Sequence, residues 1–381
     1  GGFAPAFGEL RRHVLGDHDG GFRYSDVHSY PSQVAVELKQ VVLMNHWRIT
    51  TVVALLLVAC SSAPTIAELP ERDAMRDFVA EMAQRHGFDR VQLEAWLKQA
   101  RIRSDIIAAI SQPAESKPWY EYRPIFLQPS RIEGGVAFWN KNANVLQRAE
   151  EVYGVPPQII TAILGVETRY GSHQGGYKVL DSLVTLAFNY PPRAAFFKDE
   201  LEQYLLLTRE EGLDPLSMNG SYAGAMGEAQ FIPSSYRHYA VDFDGDGKRD
   251  LWSNNADAIG SVANYFKEHG WERGGSVAVE AAVSGESYRT LIAKGLKPTV
   301  KIAEMKRLGV KPAGALADDK LAALIELEQK DAAEYWIGLQ NFYVITRYNH
   351  SPLYAMAVYQ LSEEIRALHE RQLAQGAQSG R

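Results

Sequence analysis

One cysteine, Cys60, occurs in this chain of 381 residues, so no intrachain disulfide can staple its fold. The fold has to be held by packing, and the length suffices for two or three packed units. Hydrophobic residues at 46% and charged residues at 23% suit a soluble globular protein. A net charge of -6 offers no basic face at the level of the whole chain, which argues against a nucleic-acid partner. The 19 tyrosines and 7 tryptophans could stack on sugars, although core packing is their commoner use.

The surroundings of Cys60 are informative. Met44-Asn-His-Trp-Arg48 opens a short basic segment, and Ile49 to Ala59 follows as a mostly apolar run of eleven residues. A bilayer span needs about 20 residues, so this run fits a secretory signal better than a membrane helix. Leu57-Val58-Ala59-Cys60 resembles the bacterial lipobox, in which the cysteine becomes a lipid-bearing N-terminus after cleavage. The alternative is a buried apolar helix with an incidental cysteine. The order of basic start, apolar run, small residue and cysteine favours a lipid anchor, and Ser61 in place of Asp favours the outer membrane. On this reading 1–43 is an extension upstream of the true start at Met44, 44–59 is a lipoprotein signal peptide and 60–67 is a linker.

The segment 68–153 reads as a helical domain, with apolar spacings of three and four at Phe78, Met82 and Val91 to Leu97, and with Gly87 and Pro113 as punctuation. Within it, Pro118–Arg131 reads as an irregular connector before a helix at 135–152. A core over 154–274 follows. Its first helix opens at Pro156-Pro157, runs through Tyr170 and stops at Gly171. Further helices are expected at 179–189, 193–210 and 256–269, with a Gly-rich turn at 219–228 and an acidic loop at 242–251. From 275 to 345 the pattern predicts a small β-containing domain. Its strands are Ser276–Val283, Thr299–Ala303, Ala322–Glu328 and Tyr335–Ile345, with short helices at Leu291–Gly295 and Lys301–Leu308. The segment 346–371 returns to the core with an amphipathic helix at Pro352–Arg371, and 372–381 is expected to be a disordered tail. The fold class is α+β, mainly α.

On the helix that begins at Pro157, Glu167 shares a face with Ile160, Ile163 and Leu164. Burying a carboxylate on an apolar stripe is costly. Desolvation should raise its pKa toward what a general acid needs near neutral pH. The last helical turn adds to this, because the helix dipole disfavours negative charge there. Equally, the side chain could reach solvent at a frayed end or pair with a buried arginine. The run Ser221-Tyr-Ala-Gly224-Ala-Met-Gly227-Glu-Ala-Gln230-Phe-Ile-Pro233 is rich in small residues, which permit close approach of a ligand or of another backbone.

Asp242, Asp244, Asp246 and Asp250, with Gly247, match positions 1, 3, 5, 9 and 6 of an EF-hand calcium loop. Carboxylates this close repel unless a cation binds, although a solvated acidic turn is the simpler alternative. Position 12 is Ser253, not the bidentate Glu. Lys248 would offer only its backbone carbonyl. No histidine pair shows metal-binding spacing.

Glu167-Thr-Arg-Tyr-Gly171, the Ser221–Ser235 segment and Tyr348-Asn349 together resemble the lytic murein transglycosylases, over about 68–370. The resemblance implies a lysozyme-like helical core with a helical N-terminal part and a small β domain. It implies Glu167 as the sole acid/base, Ser221 orienting it and Gln230 facing the substrate. Tyr348, Asn349 and Tyr354 would line the cleft opposite. In Asn189-Tyr-Pro-Pro-Arg193, Pro192 stands where the family often has a first arginine, leaving Arg193 to bind a sugar or peptide stem. The resemblance also implies that a later aspartate, matched here by Asp257, completes the calcium site in a structural role, and that no organic cofactor is needed. The expected reaction is cleavage between N-acetylmuramic acid and N-acetylglucosamine in peptidoglycan, with a 1,6-anhydromuramoyl product. The rival readings are a hydrolytic muramidase on the same core and a non-catalytic, wall-binding lipoprotein.

Overall fold

The computed structural model describes residues 69–111 and 117–379. The upstream extension, the signal peptide, Cys60 and the 60–67 linker therefore lie outside the described residues. From Ala74 onward the described residues group as one unit; those before it belong to a second, of which only the start of the first helix is described.

Among the described residues six helices lead up to the first site-bearing element: α1 (Leu69–His86), α2 (Arg90–Gln99), α3 (Ser104–Ile110), α4 (Trp119–Phe126), α5 (Pro129–Lys141) and α6 (Ala143–Tyr153). The segment expected to be an irregular connector is thus α4 and the start of α5. Pro118, extended at ψ 157°, caps α4, and Trp119, Tyr122 and Phe126 fall on one buried face. Pro118 and Pro129 mark the starts of α4 and α5, because the first turn needs no N–H from them, whereas Pro124 lies inside α4. Asn142 then separates α5 from α6 within the expected single helix.

The central elements are α7 (Pro157–Thr168), β1 (Tyr177–Lys178), α8 (Val179–Asn189), α9 (Ala194–Glu210), β2 (Asn219–Gly220), α10 (Pro233–Tyr239) and α11 (Asn255–Glu268). A single 3-10 turn, Pro191–Arg193, joins α8 to α9. β1 and β2 pair antiparallel, Tyr177 opposite Gly220, and so bring the Gly-rich turn beside the segment that follows α7.

The β region contains β3 (Ala278–Val283), α12 (Arg289–Ile292), β4 (Val300–Lys301), α13 (Ile302–Arg307), β5 (Val310–Pro312), β6 (Leu321–Glu328) and β7 (Ala333–Gly338). The strands form one antiparallel sheet in the order β4-β6-β7-β3-β5. Alternate residues serve different cores, as the period of two requires. Ile325, Leu327 and Trp336 join the main core, whereas Leu324 and Ile337 pack in a second one with Tyr288, Ile302 and Met305.

Two expected strands are shorter than their β-branched composition suggests. Thr299–Ala303 is a strand only at Val300–Lys301, and Tyr335–Ile345 ends as a strand at Gly338. The rest of the latter is α14 (Gln340–Tyr348), whose Phe342 and Ile345, three apart, are both buried. Packing against neighbouring elements overrode local β propensity. α15 (Pro352–Ser379) packs on α4, α5, α7 and α14. It continues as helix through most of the tail expected to be disordered. Residues 371–378 are exposed, so continuation of an already nucleated helix carries them rather than burial.

Candidate active site

Helix α7 is buried without a break from Ile159 to Thr168, and Glu167 lies in its last turn. The chain leaves this helix two residues earlier than the sequence suggests. Arg169 and Tyr170 take φ values of 50° and 60°, and Gly171 follows at 82°. Left-handed geometry costs a non-glycine residue about 1–3 kcal/mol, so the surroundings must impose it. Tyr170 does much of this. Its N–H donates to Leu164 O at 3.0 Å, its hydroxyl donates to Arg131 O at 2.6 Å, and its ring stacks on Phe138 at 5.6 Å. The ring fits because Gly135 and Gly165 have no side chain. A Cβ on either would stand 2.7 or 2.6 Å from the Tyr170 hydroxyl. Arg131 donates in turn to Gly165 O of α7, and burial pulls its guanidinium pKa down to about 10.

Glu167 is 4% exposed, and the hydroxyl of Tyr354 donates to its Oε1 at 2.5 Å. Tyr354 sits in the first turn of α15. Burial, and then the charge of Glu167, push its ionisation well above the usual tyrosine range, so it stays a donor. The α14–α15 junction also supplies Tyr348 and Asn349. Tyr348 is packed edge-on against Tyr265 and Phe266 and donates to Ala229 O at 2.5 Å, which ties α14 to the Gly-rich turn. Asn349 is buried, and its Oδ1 has no hydrogen-bond partner.

Gln230 is buried at φ 48° in the Gly-rich turn. Its Nε2 donates to Gly227 O at 2.9 Å and Gln174 O at 3.1 Å, while Oε1 has no partner. A buried acceptor left unbonded costs about 1–3 kcal/mol, so Oε1 has bonding capacity that a ligand or a water could meet. Ser221 accepts the N–H groups of Ala223 at 3.2 Å and Ala225 at 3.0 Å. The structure does not join it to Glu167, as the sequence reading expected; its hydroxyl shapes the turn instead. Arg193, at the end of the 3-10 turn, lies with its guanidinium 4.4 Å from the centre of the Phe196 ring.

Glu200 and Glu228 are buried carboxyl groups that the sequence did not single out. Glu200, on α9, accepts from Ser234 N at 2.9 Å and Oγ at 2.7 Å and so holds the start of α10. Glu228 lies within the Gly-rich turn, its Oε2 without a partner. Burial pushes each up to about 7. For Glu228 the available signal was an acid placed among glycine and alanine; for Glu200, amphipathic spacing gave none.

In the acidic loop, carboxylate oxygens of Asp242, Asp244 and Asp257 all lie within 4.8 Å of one another. Asp257 arrives from the first turn of α11. It is buried and accepts the N–H groups of Phe243 at 2.7 Å and Asp250 at 2.8 Å. Burial, opposed by these two bonds and reinforced by Asp244 and Asp242, raises its pKa. A cluster of hard oxygen donors that costly to bring together fits a calcium-type cation. The structure does not bring Asp246 and Asp250 into this group. Asp246 accepts from Lys248 N at 2.9 Å, and Asp250 accepts from Trp252 N at 2.8 Å and Ser253 N at 3.0 Å. Asp257, and not Asp250, therefore completes the triad.

The family profile described as "Transglycosylase SLT domain" matches residues 70–363. Membrane-bound lytic murein transglycosylase B of Escherichia coli K12 is 43% identical over 346 residues, 81% of this chain and 94% of that protein. Among solved structures, the soluble lytic transglycosylase SltB1 of Pseudomonas aeruginosa is 50% identical with a TM-score of 0.74, covering 78% of this chain and 99% of its own. The E. coli lytic transglycosylase Slt35, solved in complex with calcium, is 45% identical with a TM-score of 0.71, covering 77% and 93%. SltB3 of P. aeruginosa, solved in complex with NAG-anhNAM-pentapeptide, is 32% identical with a TM-score of 0.69, covering 77% and 79%. By sequence and by its mainly helical, lysozyme-like fold, this chain belongs to the transglycosylase SLT domain family.

Proposed function

We propose that this chain is a lytic transglycosylase that cleaves the β-1,4 bond between N-acetylmuramic acid and N-acetylglucosamine in peptidoglycan, with Glu167 as acid and then base. The observation that carries the reading is a carboxyl buried at the end of an apolar helix and gripped at Oε1 by Tyr354. Protonated Glu167 gives its proton to the glycosidic oxygen as the bond to muramoyl C1 breaks. Positive charge then gathers at C1. Most glycosidases set a second carboxylate against that charge. The other buried acid of the turn, Glu228, has its Oε1 against Gly171, where a Cβ would meet it at 2.7 Å. The task falls to the substrate's own N-acetyl oxygen, as in substrate-assisted glycosidases. Glu167, now a carboxylate, takes the proton of the C6 hydroxyl, and O6 closes on C1. The acid ends as it began, no water is consumed, and an apolar pocket disfavours water as a competitor.

Gln230 Oε1 and Asn349 Oδ1 are the acceptors offered to the sugars, and Arg193 is the cation offered to a sugar or an anionic peptide stem. Ser221 and Tyr348 keep the turn in place. Asp242, Asp244 and Asp257 would hold calcium, which neutralises the loop and ties it to α11; the role is structural. Among the described residues no helix is long and apolar enough to cross a membrane. The E. coli relative is named as membrane-bound, and a lipid on Cys60 would place this chain at the periplasmic face of the outer membrane.

The deciding experiment is Glu167→Gln on intact peptidoglycan, with mass analysis of the released muropeptides. The variant should bind the wall and release nothing. The wild type should release fragments about one water lighter than hydrolysis gives. Products at the hydrolysed mass would make it a muramidase, absence of any wild-type release would make it a binding protein, and unchanged lysis by the variant would refute the role of Glu167.

A further inference from the structure

We infer that Thr168 is a positioning residue for Glu167, fixing the last turn of α7 through a hydroxyl that links the helix end to the Gly-rich turn. The inference rests on Glu167 being the acid/base. Helix ends ordinarily fray, because their final carbonyls lack intrahelical partners. Here the terminal turn must also feed three successive left-handed residues, a path that backbone preference does not favour.

Thr168 meets that need with a single side chain. Its Oγ1 accepts the N–H of Gly171 at 3.0 Å, two residues beyond the first left-handed position. The same hydroxyl donates to Glu228 O at 3.0 Å, with a longer contact to Leu164 O at 3.3 Å. Glu228 is itself anchored, its N–H donating to Leu251 O at 2.7 Å. His173 N–H closes the far side on Thr168 O at 2.9 Å. Thr168 is 1% exposed, so water does not compete for these bonds. The hydroxyl thus holds one turn of backbone to two different loops. Rotating that turn would carry Glu167 away from the hydroxyl of Tyr354 on α15. Thr168 acts through its neighbour and performs no chemistry itself. The sequence offered only a threonine after an acid; the bonding follows from the fold.

The test uses the full chain and compares Thr168→Val, which keeps shape but loses the hydroxyl, with Thr168→Ser, which keeps the hydroxyl. Turnover is measured as anhydromuropeptide release across pH, with Tm recorded for each protein. Thr168→Val should lose about 10- to 100-fold in kcat, the range a displacement near 1 Å produces, while KM stays within about twofold. The pH midpoint of kcat should move with it, because the acid no longer keeps its partner. Thr168→Ser should restore kcat to within about threefold of wild type, with the wild-type pH midpoint. A Val variant with wild-type kcat and pH profile overturns the inference, whatever its Tm. Should the Val variant not fold, the Ser variant decides: kcat reduced tenfold or more would place the requirement in packing and overturn it, while wild-type kcat and profile support it. Lysis by Glu167→Gln would sink the underlying reading. An inactive Glu167→Gln beside an unaffected Thr168→Val would sink this inference alone.

Discussion

Replacing Tyr354 by Phe removes one oxygen from the interior and tests how Glu167 is tuned. The lost bond is short, 2.5 Å, and lies between two buried groups. A hydrogen bond to a charged group is worth about 1.5–3 kcal/mol, and it favours the ionised carboxyl over the protonated one. At about 1.36 kcal/mol per pH unit, its removal should move proton loss upward by about one to two units. Glu167 begins the reaction protonated, so kcat falls on the alkaline side as this proton is lost. In Tyr354→Phe that limb should shift to higher pH by about one to two units, on a plateau lowered because the carboxyl is held less well. Tyrosine ionisation does not confuse the comparison, since burial holds the Tyr354 phenol neutral well above its usual range. The assay is kcat for anhydromuropeptide release between mildly acidic and mildly alkaline pH, with folding checked at each point. An alkaline limb that stays in place, or moves downward, would refute the claim that this hydroxyl stabilises the carboxylate.

Chelation of divalent ions should lower Tm, because Asp242, Asp244 and Asp257 are then left to repel one another, while turnover persists at low temperature. Turnover abolished with the fold intact would contradict a structural ion. Glu228→Gln should change how stability depends on pH. The Glu228 carboxyl is held up to about 7 by burial, so the stability of its neutral form is full below about 4.5 and is lost as pH rises through about 7. Glutamine does not ionise. The Tm of the variant relative to wild type should therefore climb between those two pH values and level off above them; a pH-independent difference would disprove it.

The legible parts of this protein are those whose signal is local. The apolar period of α7 and the position of Glu167 on its stripe follow from spacing alone, as does the acidic loop from its aspartates and glycines. The lipobox-like run around Cys60 is an expectation of the same local kind, and it lies outside the described residues. Composition misled where packing decided. Pro118 and Pro129 stand at helix starts and Pro124 inside a helix, and Phe342 and Ile345 sit on a helix despite their strand-like neighbours, because a buried face outweighs a propensity worth about 1 kcal/mol or less.

What sequence alone determined was an acid on a greasy helix and a set of polar residues able to serve it. The tertiary structure decided their partners. It set Tyr354 on Glu167 across 187 positions of chain, turned Ser221 toward its own loop, and chose Asp257 over Asp250 for the carboxylate triad. The physical reason is that hydrogen bonds and charge pairs act over a few ångströms in space, and separation along the chain carries no record of which distant groups folding will bring that close.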